Sequence, residues 1–325
     1  MVNNPAIDVQ RPKKTSLMSK AGFCKLAQFG LIHFSGDDAQ NFLHNQLTCD
    51  VEHLGPGRST YGAYCTPKGR VLASFLLWRR GADFFLQLPL PLREPIQKQL
   101  SKYILRARVK AVDATPDWTL AGVMGGDAAA LVQRVAGQAP QAVHEVAQTP
   151  AATIIRLPGD RFQVVAGQGK APALLDGLAA GAGTADIEEW QRQIIRAGVP
   201  VILPATQDAF VPQMINLDLI GGVSYDKGCY PGQEIVARMH FRGTLKQRLY
   251  LARVGAGRPE PGDRLYSPAF GEQACGTVVN AARSPEGDHD LLAVIQIGAA
   301  ETGALRWKSP DGPSVSLLRL PYSMP

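Results

Sequence analysis

The eight residues Lys227-Gly228-Cys229-Tyr230-Pro231-Gly232-Gln233-Glu234 constrain this chain more tightly than any other stretch. Pro231 presets the first corner of a β-turn, and Gly232 supplies the positive φ of the second. Tyr230 through Gln233 is therefore expected as a type II turn. The residues that follow, Gln233 to Met239, read as a helix with Ile235 and Met239 four apart on one face. Glu234 falls in its first turn, where a negative charge suits the helix dipole. Cys229 is then placed near a helix N-terminus and two residues from Lys227, two conditions that lower a thiol's pKa from about 8.5. A buried structural cysteine is the alternative, since free cysteine is among the most buried residue types. The glycine and proline flanks favour a turn at the surface.

With 325 residues, 45% of them hydrophobic and 19% charged, the chain is longer than one ordinary domain and has the composition of a globular protein. Its five cysteines are odd in number and scattered, with no C-x-x-C pair. This argues against a disulfide framework and against a zinc or cluster site built from this chain alone; a reducing, cytoplasmic compartment fits. The six histidines show no metal-ligand spacing. No apolar run reaches the roughly 18 residues of a membrane span. Residues 1–20 are basic, lack an apolar segment, and read as a flexible leader. The formal charge of +6 comes with acids mixed among the bases. It suits a solvated surface, or attraction of an anionic partner. No arginine-rich run or aromatic-interleaved basic stripe supplies a direct nucleic-acid motif.

The pattern along the chain predicts an α+β organisation. Asp37 to Leu47 reads as a helix with Ala39, Phe42, Leu43 and Leu47 on its apolar stripe. Strands follow on either side of Lys68-Gly69, and Arg80 to Asp83 reads as a hairpin turn. Pro91 to Leu105 is expected as a helix and Arg108 to Val112 as a strand. Strand and helix patterns alternate again from Thr119 to Ala197, where Gly198 and Pro200 stop the last helix. After Gly243 the texture becomes short strands split by Gly/Pro-rich turns, the signature of a small β-barrel. The expected domains are 21–243 and 244–325.

The order of residues in the Cys229 segment resembles the Lys-Gly-Cys-Tyr-x-Gly-Gln-Glu signature of the YgfZ family, folate-binding proteins related to the T-protein of the glycine cleavage system. Further blocks carry the resemblance. They are Gly36 to Leu43 with Gln46 to Val51, then Thr66 to Leu72, Phe210 to Asp218 with Gly221 to Ser224, and Ala237-Arg238 with Phe241 to Gly243. The resemblance implies two intertwined α+β subdomains and a C-terminal barrel around a central opening that takes tetrahydrofolate. It also implies a factor that supports assembly or repair of iron–sulfur clusters in client enzymes, tRNA-modifying enzymes included. The implied catalytic residues are Cys229 and Lys227. Tyr230, Gln233, Glu234, Arg238, Arg242 and Arg196 are the candidate folate-binding residues.

Two positions depart from the T-protein pattern. An aspartate pair expected after the central glycine is replaced by Ala73-Ser74, and neither side chain takes up a proton as a carboxylate does. The acidic residue expected before Ala197-Gly198, which reads the donor edge of a pterin, is Arg196, and a guanidinium accepts no hydrogen bond. These changes favour an accessory factor over the rival reading, a folate-dependent one-carbon transferase. Arg238 and Arg242, four apart, are suited to the carboxylates of a folate tail. Tyr61, Tyr64 and Tyr230 are candidate stacking rings.

Overall fold

The computed structural model describes residues 20–324, so the expected leader lies, but for Lys20, outside the described residues. Two sheets and a barrel organise the chain. A five-stranded antiparallel sheet has the order Ser59–Cys65, Val71–Arg80, Asp83–Pro89, Phe29–Ser35, Lys110–Asp113. Val71–Arg80 is buried at nearly every position rather than at alternate ones, because both faces of this strand are covered. A six-stranded sheet has the order Gly183–Thr184, Gly22–Lys25, Trp118–Met124, Arg161–Gly167, Thr153–Leu157, Val146–Gln148. Gly22–Lys25 therefore pairs within the second sheet, while the next strand, Phe29–Ser35, enters the first. This exchange interlocks the two α+β parts.

The third part is a closed barrel of Gln247–Val254, His289–Gln296, Ala274–Arg283, Arg264–Tyr266, Leu305–Trp307 and Ser314–Leu318. Closure leaves none of these strands with an open edge. One apolar core runs from the five-stranded sheet through Leu120, Met124 and Trp190 to Leu249, Leu251, Leu292 and Val294 of the barrel.

The helix that joins the parts is Ile187–Arg196, capped by the Asp186 side chain, which accepts from the Glu188 N–H. It buries Trp190, Ile194 and Ile195. Gly122 makes room for the indole, since a Cβ there would stand 2.6 Å from the Trp190 ring. The helix expected to reach Leu105 instead ends at Ser101. The chain then turns toward the edge strand Lys110–Asp113, and Leu105 is left 87% exposed with φ +45°. Among the described residues, no helix is long and apolar enough to cross a membrane.

Candidate functional site

The Cys229 segment is a loop held down at both ends. Tyr230 to Gln233 forms the expected turn: the Gln233 N–H donates to the Tyr230 carbonyl at 3.1 Å, and Gly232 has φ +84°, ψ 0°. The helix Gln233–Phe241 begins at once. Ile235 and Met239 do not form its buried face. Val236 is the one buried residue of this helix, and Ile235 lies against Gly69. The Gln233 side chain reaches back and donates to the Lys227 carbonyl at 3.3 Å, closing the loop on itself.

Lys227 does not stand beside the thiol as a loose cation. Its Nζ donates to the carbonyls of His44, Leu47 (2.6 Å) and Cys49 (2.9 Å), using all three ammonium donors. It also lies 5.1 Å from the centre of the Tyr230 ring. Burial pulls its pKa down to about 8, with Cys49 and Asp50 pulling the other way. The carbonyls it binds are presented by the turn after Ala39–His44. That turn is stitched to the 221–224 segment by Thr48, whose hydroxyl donates to the Gly222 carbonyl at 2.6 Å and accepts from the Ala63 N–H at 2.8 Å. Three blocks far apart in sequence thus form one scaffold under the loop.

Cys229 is exposed, whereas Cys24, Cys49, Cys65 and Cys275 are buried. Burial pushes the Cys24 and Cys49 thiols up to about 12 and raises those of Cys65 and Cys275 as well. Tyr230 is buried beneath the loop, its hydroxyl without a hydrogen-bond partner among the described residues. His44 was legible only as an isolated histidine. Its Nδ1 accepts from the Glu52 N–H at 3.2 Å, which leaves the proton on Nε2. A Cβ on Gly228 would stand 3.8 Å from that Nε2.

A second concave feature lies where the sheets, the Ile187–Arg196 helix and the 199–201 segment meet. It is lined by Tyr61, Ser74, Gln87, Arg161, Gln163 and Trp190, among others, and has a volume of about 50 Å³. Arg161 is 1% exposed. Its Nε donates to the Pro158 carbonyl, its guanidinium lies 5.0 Å from the Trp190 ring, and its Nη2 has no acceptor among the described residues. Trp190 Nε1 is likewise unpartnered. Gln163 donates to Gln87 at 2.5 Å. Ser74 is occupied: its hydroxyl donates to the Pro200 carbonyl and accepts from the Ile202 N–H, both at 3.0 Å. Sequence reasoning missed Arg161, Trp190 and the two glutamines. The only signal was a pair of polar residues, Arg161 and Gln163, at the start of the otherwise apolar strand Arg161–Gly167.

The remaining candidates lie elsewhere. Arg196 Nε donates at 2.6 Å to Asp290 Oδ2, and Arg253 donates to Oδ1 of the same fully buried carboxylate. The residue is thus engaged between helix and barrel. Arg238 pairs with Glu234 at 3.2 Å on the exposed side of the helix. Arg238 and Arg242 line a surface groove with Ile235, Met239 and Gly243, none of which lines the cavity around Arg161. Tyr61 lines the cavity; Tyr64 and Tyr230 are buried elsewhere. No group of three or more metal-ligating side chains occurs among the described residues.

The fold, two interlocked α+β parts and a closed barrel, is that of aminomethyltransferase T-proteins. The chain superposes on the glycine cleavage system aminomethyltransferase T from Bartonella henselae with a TM-score of 0.77 at 16% identity, covering 94% of this chain and 87% of that one. Residues 8–149 match the family model of the GCVT N-terminal domain. Relatives at higher identity narrow the assignment. The tRNA-modifying protein YgfZ of Yersinia pestis (strain Pestoides F) is 31% identical over 303 residues, and that of Serratia proteamaculans (strain 568) is 32% identical over 306. Each alignment covers 92% of both chains. The chain belongs to the YgfZ family.

Proposed function

We propose that this protein is a tetrahydrofolate-binding factor that supports iron–sulfur clusters in client enzymes, tRNA-modifying enzymes among them, and that it acts through Cys229. The observation that carries this reading is the contrast among the thiols: one is presented at the surface on an anchored loop, and four are buried. A structural cysteine has no need of a lysine fixed by three carbonyls to set the loop that bears it. The role of Lys227 is positioning: it holds the loop rather than touching the reacting sulfur.

Folate is assigned to the cavity around Arg161. The orphaned donors Arg161 Nη2 and Trp190 Nε1 fit the oxo edge of a pterin, and Tyr61 supplies a ring face. At about 50 Å³ the cavity is smaller than the roughly 300–1,000 Å³ of usual ligand sites, so binding has to part its walls. When bound, tetrahydrofolate supplies a one-carbon carrier. The side chains around it orient the ring and exclude water. Ser74, held by two backbone groups, has no free role as a base.

Two measurements test the reading. Iodoacetamide at neutral pH should modify one cysteine of the native protein, and Cys229→Ser should abolish that modification. The same variant should retain tetrahydrofolate binding by calorimetry and fail to restore cluster-dependent enzyme activity in cells that lack the protein. Full restoration by Cys229→Ser would remove the thiol from the function. Absence of folate binding by both proteins would remove the cofactor.

A further inference from the structure

The C-terminal end of the Gln233–Phe241 helix carries an aromatic stack that no packing requirement explains. Tyr225 and His240 lie face to face, with centroids 3.8 Å apart and 15° between planes. Phe241 meets His240 edge-on at 4.8 Å and stands 6.0 Å from Tyr225. Phe241 is 67% exposed, the most exposed aromatic side chain among the large hydrophobics of the described surface. The stack is fixed from below. Gln213 donates to the Tyr225 hydroxyl at 3.1 Å and to the Val236 carbonyl at 2.7 Å, joining loop and helix. Rings held this way lose little freedom when a ligand arrives.

Cations flank Phe241 along the chain: Arg238 stands three residues before it on the helix, and Arg242 follows it directly. Arg238 and Arg242 line the adjoining groove, and Lys246 is exposed just beyond. The acids nearby are Glu234, paired with Arg238, Asp218, paired with Arg248 behind Tyr225, and Asp226 in the loop. An acidic peptide would use the cations but not the ring faces. An apolar protein surface would use Phe241 but strand the arginines. An unpaired nucleotide uses both, with its base on an aromatic face and its phosphate on the guanidinium groups. We infer that Phe241, His240 and Tyr225, with Arg242 and Lys246, form a docking platform for single-stranded nucleic acid. Tyr225 belongs to the same segment that leads into Cys229. In the sequence the segment is too short to read as a basic aromatic stripe; folding adds Tyr225 from a separate segment.

The test is fluorescence anisotropy of end-labelled oligo(U) and oligo(dT) dodecamers with the full chain. Wild type should bind both at low salt. Phe241→Ala should weaken binding about tenfold, the loss of one stacked base, with the salt dependence unchanged. Arg242→Gln should lower the slope of log K against log salt by about 0.7, one phosphate contact on a single strand. A preference for oligo(U) or oligo(dT) reports contact with the 2′-OH or the thymine methyl and keeps the platform. No binding by wild type, equal affinity for a blunt duplex, or unchanged affinity in Phe241→Ala would overturn the inference. So would displacement of the dodecamer by a polyglutamate peptide whose own binding is indifferent to Phe241→Ala.

Discussion

Gly232 and Gly69 pack backbone against backbone. A Cβ on Gly232 would stand 2.6 Å from both Cα and N of Gly69, and one on Gly69 would stand 3.2 Å from the Gly232 carbonyl. Both residues have positive φ, +84° and +72°. The contact seats the turn after Cys229 on the Thr66 to Arg70 turn of the first sheet. It accounts for two separate sequence blocks with one requirement.

Gly232→Ala should therefore cost more than backbone conformation alone. A left-handed alanine costs about 1–2 kcal/mol, and the clash here is with backbone that cannot rotate away. A total loss of about 3 kcal/mol is expected. Gly221 is the control: it has φ +77° and open space around its Cβ position. Gly221→Ala should lose only the conformational part. Urea denaturation of the two variants measures the difference, and equal losses would mean the turn is not pressed against Gly69.

Lys227 gives a pH signature. Burial lowers its pKa from the usual 10.5 to about 8 in the folded chain. Between these values the unfolded chain holds a proton that the folded chain has released, so this group's contribution to stability rises with pH. It is fully present above about pH 10.5 and is lost as pH falls through about 8. At neutral pH the ammonium keeps its three carbonyl partners. Stability curves of wild type and Lys227→Met should diverge in favour of wild type from pH 8 upward. Parallel curves across that window would show that the amine titrates normally.

Much of the fold was legible because local and global preferences agree. The turn at Tyr230 to Gln233 follows from proline and glycine alone, and the barrel follows from short strands cut by Gly/Pro turns. The Ile187–Arg196 helix follows from its helical pattern and from the Gly198 and Pro200 that stop it. What the sequence hid were relationships between distant segments. Lys227 reads as a cation near a thiol, but its three partners lie 178 to 183 residues away. Arg196 reads as a departure at a pterin contact, but its partner is Asp290 on the barrel. Arg161 falls in a strand pattern that says nothing of its burial, and folding buries it. Periodicity reports which residues are buried, not which charges meet inside.

Asp290 is the keystone of the helix–barrel junction. It is fully buried and accepts from Arg196 and from Arg253, with Arg192 3.6 Å away. Asp290→Asn should lose about 3–5 kcal/mol, because it removes the countercharge and leaves guanidinium groups clustered in a desolvated site. Arg196→Glu should also destabilise, since it sets a carboxylate against Asp290. Restoring the T-protein-like acid at this one position would therefore not restore a pterin contact. Denaturant titration of both variants, with folate binding measured on Arg196→Glu, decides the point.

Arg161 separates ligand binding from stability. It is 1% exposed, interacts with the Tyr61 hydroxyl and the Trp190 ring rather than a carboxylate, and leaves Nη2 unsatisfied. A buried cation without a countercharge costs about 3 kcal/mol, and the contact with the indole returns about 1 kcal/mol. Arg161→Met fills the same space without the charge, so the ligand-free protein should become more stable. Tetrahydrofolate at 100 times its Kd should stabilise wild type by about 2.7 kcal/mol and the variant by far less. A thermal-shift comparison of the two proteins, with and without the ligand, reads both effects. A variant less stable than wild type, with an undiminished ligand shift, would make Arg161 a structural residue and move the folate site away from this cavity.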